Sequence, residues 1–131
     1  MRHYYSRGFT LIELLVVVAI IGILSAIGVV SYGKYKSSAE KKQAEISLNS
    51  IYLAEQEYKS NNNGKYCISE CSNNAGIISK LFDDVDDLNG QAYTFKTTNA
   101  NTLSIIATNK KNPSCTITIT EKNKKADRKG C

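Results

Sequence analysis

The side chains able to do chemistry in this chain fall into four groups. Glu13 is a lone carboxylate inside an apolar run. Cys67, Cys71, Cys115 and Cys131 are four thiols, and Asp83, Asp84, Asp86 and Asp87 form the one dense acidic cluster. Lys110, Lys111, Lys122, Lys124, Lys125, Arg128 and Lys129 crowd the C-terminal end. A single histidine, His3, leaves little room for imidazole catalysis or His-rich metal sites. No acid, base and nucleophile converge in the pattern, so no enzyme and no cofactor are expected. Calcium favours several oxygen ligands, but an EF-hand needs carboxylates at alternate positions and a glycine sixth. Here Val85 separates two acidic pairs and Leu88 falls at the glycine position, so a solvated acidic loop is the better reading. Zinc is disfavoured by the lack of a downstream histidine and of C-x2-C spacing, so no metal is expected.

The elements that must position these groups begin with Phe9 to Val30, twenty-two residues whose only charge is Glu13. As a helix this run would be roughly 33 Å long, enough to cross a bilayer's hydrocarbon core. It is too long for the apolar stretch of a conventional secretory signal, and the plausible cut at Arg7-Gly8 lies ahead of it, so cleavage there would keep the helix. Arg2 and Arg7 would hold the leader in the cytoplasm and send the rest across. A carboxylate inside such a span costs on the order of 2.5–3.5 kcal/mol at the bilayer centre and less near its edge, so Glu13 needs compensation.

Arg7-Gly8-Phe9-Thr10-Leu11-Ile12-Glu13-Leu14, continued by Val17-Val18-Ala19-Ile20-Ile21-Gly22-Ile23-Leu24, resembles the prepilin signature of type IV pilins and pseudopilins. The resemblance is strongest over residues 7–60. It implies that a prepilin peptidase cuts after Gly8, that Phe9 becomes the N-methylated first residue, and that the helix forms a filament core. In that setting the Phe9 ammonium of a neighbouring subunit, shifted along the axis, would pair with Glu13 and set subunit register. The competing reading makes Glu13 the edge of an ordinary signal anchor, snorkelling to the headgroups. Many family members have a helix-kinking proline where this chain has Val30; Gly28 and Gly33 flank that point and each weakens a helix by about 1 kcal/mol relative to alanine. Gly22 and Ala26 form a small-x-x-x-small pair, a weak signal for close helix approach.

Residues 32–60 continue the helix. Ala44, Leu48, Ile51, Ala54 and Tyr58 make an apolar stripe, and Lys34, Lys36, Glu40, Lys41, Lys42, Glu45 and Glu55 are expected on exposed faces. Tyr32 and Tyr35 fall where aromatic side chains anchor at a membrane boundary, and Asn61-Asn62-Asn63-Gly64 stops the helix. A connector over 61–90 precedes three strand candidates, Ala92–Lys96, Leu103–Thr108 and Cys115–Thr120. Tyr93 and Phe95, then Leu103, Ile105 and Ala107, then Cys115, Ile117 and Ile119 share one face of each. Turn signals at 99–101 and 110–113 suit an antiparallel meander. The expected fold is therefore α+β and pilin-like. A removed leader (1–8) precedes a long helix (9–60, with 9–30 membrane-spanning) and a head (61–131) of about three antiparallel strands (91–120) packed on the helix's second half.

All four cysteines follow the span, which fits an oxidising compartment. Spacing alone leaves three pairings open. The resemblance implies Cys115 with Cys131 as a disulfide-bounded tail (115–131), leaving Cys67 with Cys71 to close the connector.

The chain carries a net charge of +5, and residues 107–131 alone hold seven Lys or Arg against Glu121 and Asp127. That basic end is a candidate surface for DNA or acidic surface polymers through counterion release. The plainer reading is solvation, or pairing with the acidic cluster of another subunit. The reading overall is a structural pilus subunit, major or minor, for adhesion, motility or DNA uptake. It would be stored in the inner membrane with a periplasmic head and then assembled into an extracellular filament. Its partners would be other pilin subunits, the prepilin peptidase and the inner-membrane assembly machinery. The alternatives are a pseudopilin of a type II secretion system and a DNA- or surface-binding minor pilin.

Overall fold

The computed structural model describes residues 8–85, 88–98 and 102–131; Arg2, His3, Arg7, Asp86, Asp87 and the 99–101 turn lie outside them. The described chain divides into two compact units, one ending at Ser37 and the other Ser38–Cys131. One helix, α1 (Leu11–Asn61), contributes to both and is continuous through Gly28 and Gly33. Its end is set by left-handed backbone at Asn63 (φ 53°) and Gly64 (φ 77°), where the Gly64 N–H turns back to the Lys59 carbonyl at 2.9 Å.

In the first unit every described side chain is exposed, including the aliphatic residues from Leu11 to Val30. This stretch meets the length and apolarity needed to cross a membrane, and an exposed apolar surface of this extent marks a site of contact with lipid or with other protein.

In the second unit α1 buries a stripe of Ala44, Ser47, Leu48, Ile51 and Glu55. The expected stripe ran on to Ala54 and Tyr58, and Glu55 was expected in solvent. Both differ in the structure: Ala54 and Tyr58 are only half-buried, whereas Glu55 is fully buried. Steps of four, three and four from Ala44 keep Leu48, Ile51 and Glu55 on one line, so helical geometry carries residue 55 inward whatever its polarity.

Within the expected irregular connector lies a second helix, α2 (Asn74–Leu81). Asn73 caps it by accepting the Gly76 N–H at 2.9 Å, and Ile77 and Ile78 are its buried residues. Eight residues with two apolar anchors are too short for periodicity to separate from a loop.

Strands β1 (Tyr93–Thr98), β2 (Ser104–Asn109), β3 (Thr116–Thr120) and β4 (Asp127–Lys129) form an antiparallel meander in the order β1-β2-β3-β4. The register places Phe95 opposite Ala107 and Ala107 opposite Ile117. Tyr93, Phe95, Ile105, Ala107, Ile117 and Ile119 therefore point to one face and join Ala44, Leu48 and Ile51 in a single core.

The fourth strand exceeds the expected three. It has no apolar residue and is exposed throughout, so alternation could not reveal it. The Cys115–Cys131 disulfide holds it alongside β3, with Lys129 opposite Thr116. Gly130 (φ 68°) makes the close approach, because a Cβ there would collide with the Ser114 carbonyl. Charged side chains on this edge strand discourage pairing with a further chain. A second disulfide, Cys67–Cys71, closes the connector, and no described cysteine is free.

Replacing Cys115 and Cys131 together by serine should release β4 and lower the head's unfolding free energy by about 2–5 kcal/mol. Thermal unfolding of the full chain in detergent micelles reads this out, and an unchanged midpoint would deny the tail its anchoring role.

Candidate functional site

At the N-terminal end Gly8, Phe9 and Thr10 precede helix α1 and are exposed, with Phe9 86% exposed. Glu13 lies in the first turn of the helix. Its Oε2 accepts both the Thr10 N–H and the Thr10 hydroxyl at 2.8 Å, while the Glu13 N–H reaches the Thr10 Oγ1 at 3.3 Å. This is a capping box, in which two otherwise orphaned backbone donors are satisfied reciprocally. The T-x-x-E spacing was legible in the sequence, but the apolar surroundings drew attention to the cost of the charge instead. Glu13 thus has an intramolecular partner, and its second oxygen makes no hydrogen bond within the described chain.

The C-terminal cations are divided by the fold. Lys110 and Lys111 sit at the β2–β3 turn, where Asn109 Oδ1 accepts the Lys111 and Asn112 N–H groups at 2.8 and 2.9 Å. Lys122, Lys124 and Lys125 occupy the β3–β4 connection, and Arg128 and Lys129 lie on β4. Arg128 is taken up by Glu45 of α1: its Nε donates to Oε1 at 2.7 Å, and Nη2 lies at the same distance. Partial burial opposes ionisation of Glu45, but hydrogen bonds from Arg128 and Lys42 outweigh it and hold the carboxyl below its usual range. The Lys124 ammonium lies 5.6 Å from the centre of the Tyr52 ring, so an aromatic from the helix accompanies a run that contains none itself. Lys110 instead lines a cleft of about 640 Å3 together with Thr94, Lys96 and Thr108 of the sheet and Asn73 and Asn74 at the start of α2. Sequence separation hid both arrangements, because each brings a distant segment against the tail or its turn.

Beside this region a polar cluster ties helix, connector and tail together. The Tyr66 hydroxyl donates to Glu121 Oε1 at 2.8 Å and accepts from Lys59 Nζ at 2.9 Å and Gln56 Nε2 at 3.2 Å. Lys59 also stands 3.6 Å from Glu121 and 4.3 Å from the Tyr66 ring centre. The Tyr66 hydroxyl, followed by Glu121, raises the Lys59 ammonium above its usual range, and the same hydroxyl with Lys59 lowers the Glu121 carboxyl.

For a metal, the described residues bring Glu55, Cys67 and Cys71 together in one buried group. The two sulfurs are bonded to each other, so they do not fit a metal in this state. Of the acidic cluster, Asp83 and Asp84 are exposed on a turn with left-handed backbone (φ 47° and 64°), and they belong to no such group.

Comparison with known proteins follows the same division. Residues 4–29 match the family described as "Prokaryotic N-terminal methylation motif". The chain is 43% identical over 53 residues to the type IV major pilin protein PilA of Myxococcus xanthus, covering 40% of this chain and 24% of that protein. It is 38% identical over 78 residues to a type IV major pilin protein PilE1 of Neisseria gonorrhoeae, covering 60% of this chain and 46% of that one. A fimbrial protein of Neisseria meningitidis is 32% identical over 92 residues, or 65% of this chain and 52% of the relative. The chain thus spans about a quarter to a half of these relatives' lengths. No solved structure matches it. The motif and these relatives make the N-terminal part of the chain similar to type IV major pilins, and a long apolar helix followed by a small antiparallel sheet is the α+β arrangement expected from the sequence.

Tyr66→Phe removes the hydroxyl that Lys59, Gln56 and Glu121 share. It should cost about 1 kcal/mol, since the cluster is half-exposed and water replaces part of what is lost. Denaturant unfolding of the variant measures it, and a loss near zero would leave the cluster without a stabilising role.

Proposed function

We propose that the chain is a structural subunit of a type IV pilus, held in the inner membrane by its apolar helix and polymerised into an extracellular filament with its head outside. The observation that carries this reading is the methylation motif over residues 4–29 running into a helix whose aliphatic residues from Leu11 to Val30 are all exposed. Such a surface is matched by lipid before assembly and by other copies of the same helix afterwards. Under this reading a prepilin peptidase cuts after Gly8 and Phe9 is methylated. Arg2 and Arg7 keep the leader cytoplasmic, and their removal lowers the net charge from +5 to +3.

The capping box sharpens the register hypothesis for Glu13. A glutamine at this position keeps the cap but removes the charge, whereas alanine removes both. If Glu13 pairs with the Phe9 ammonium of a neighbouring subunit, both variants should insert into the membrane yet fail to form ordered fibres. Electron microscopy of cells carrying each variant decides this, and normal fibres from Glu13→Gln would reduce Glu13 to a helix cap. Mass spectrometry of the membrane or filament form should find methylated Phe9 at the mature N-terminus. An intact leader, or a cut beyond residue 30, would overturn the pilin assignment.

A polyanion-binding surface is a second reading, favoured by Lys122, Lys124 and Lys125 clustered on one connection with Tyr52 beside Lys124. Arg128 is engaged by Glu45 and is a weaker candidate than the sequence alone implied. Assembled filaments should bind duplex DNA weakly, without sequence preference and with steep salt dependence, and should lose that binding when the three lysines become glutamine. Absence of binding at low salt would leave the basic tail as a solvated cap.

A further inference from the structure

Glu55 is fully buried on the core face of α1, beside a disulfide, and one of its oxygens is unpaired. Oε2 accepts the Cys67 N–H at 2.9 Å, while Oε1 has no hydrogen-bond partner among the described residues. The carboxylate and the sulfurs of Cys67 and Cys71 lie within 4.8 Å of one another, and all three residues are buried. An ionised carboxylate in this position would keep one backbone donor and lose most of its hydration, a poor exchange in an apolar core. The neutral acid tolerates the site better.

The other side of the connector is held differently. Thr97 of β1 donates its hydroxyl to the Cys67 and Cys71 carbonyls at 2.6 and 2.9 Å, and its N–H to the Cys71 carbonyl at 3.0 Å. None of those groups titrates. The connector segment carrying Cys67 and Cys71 therefore has a pH-independent attachment to the sheet and an ionisable one to the helix.

We propose that Glu55 and the Cys67–Cys71 loop form a pH-sensitive latch: with the carboxyl protonated the loop stays closed on α1, and ionisation loosens that contact and admits small reductants to the disulfide. Burial pushes the Glu55 carboxyl up from 4.5 to about 7, opposed only by the Cys67 N–H. The charged groups Glu57 on α1 and Lys65 on the connector are exposed. Lys59 on α1, Tyr66 on the connector and Glu121 after β3 bind one another, Glu70 pairs with Lys80 at 3.5 Å, and the disulfide sulfurs do not titrate. None of them contributes to the displacement of Glu55. The sign follows from which form holds the proton. Between 4.5 and about 7 the closed loop keeps a proton that the open loop has released, so closure weakens as pH rises through that window and levels off above it.

The test uses the full chain in detergent micelles and a short pulse of a water-soluble phosphine, which is oxidised to its oxide as water supplies the oxygen and two thiols form. Differential alkylation and mass spectrometry compare reduction of Cys67–Cys71 with that of Cys115–Cys131, whose Cys131 is exposed and serves as internal reference. The ratio should rise about tenfold between pH 6 and pH 8, the change in opening that linkage gives for this displacement, and Glu55→Gln should flatten it. Because that variant could fold poorly, infrared titration of the buried carboxyl in the unaltered protein is the second measurement. A protonated carbonyl band persisting at pH 6 supports the latch. A ratio independent of pH, an unaltered slope in a folded Glu55→Gln protein, or a carboxyl already ionised at pH 6 would each overturn it.

Discussion

The second unit depends on the burial of one stripe of α1 beneath the sheet. Leu48 and Ile51 have no exposed surface, and they share one core with Phe95, Leu103, Ile105, Ile117 and Ile119, which are also enclosed. A four-stranded sheet of such short strands is not stable with its apolar face in water, so the helix is its necessary cover. At about 25 cal/mol per Å2 of apolar surface removed from water, this contact is the main favourable term for so small a body. The disulfides and the capped second helix then fix the parts that the stripe does not reach.

That dependence explains where the polar groups end up. The tail contributes no apolar side chain to β4, and it is retained by the bond at Cys131, by Arg128 against Glu45, and by the Lys41 ammonium on the Cys131 carbonyl at 3.1 Å. Tyr66 gathers Lys59, Gln56 and Glu121 around one hydroxyl. Exposed ion pairs of this kind contribute little individually, so they are better regarded as setting where the connector and tail lie than as holding the head together. Among the described residues Glu55 is the one ionisable side chain of α1 that is fully buried, because it lies on the line that the stripe itself defines.

The apolar part of α1 obeys a different constraint. Nothing within the described chain covers Leu11 to Val30, and a Cβ built at Gly22, Gly28 or Gly33 meets nothing within 4 Å. Those glycines therefore answer to no packing requirement inside this molecule. Glu13 is the one charged group in that stretch, and its link to Thr10 satisfies the start of the helix without neutralising the charge.

The sequence by itself determined the elements whose signal is local and repeated. The long apolar run, the period of the following helix, its asparagine and glycine stop, and the alternation of Tyr93, Phe95, Ile105, Ala107, Ile117 and Ile119 can each be read from neighbouring residues, because hydrophobic burial imposes its period directly on the chain. The Gly8 to Glu13 motif was legible on another ground, as a run of neighbouring residues that resembles the prepilin signature. Tertiary structure decided the rest. Strand β4 exists because a covalent bond draws a polar segment alongside β3, α2 because one asparagine and two isoleucines suffice once a core is beside them, and the buried state of Glu55 because helical geometry overrides polarity four residues beyond Ile51. Long-range contacts also decided that Arg128 is paired while Lys122 and Lys125 remain exposed: the partner, Glu45, lies on a helix more than eighty residues earlier, and no local pattern encodes that distance.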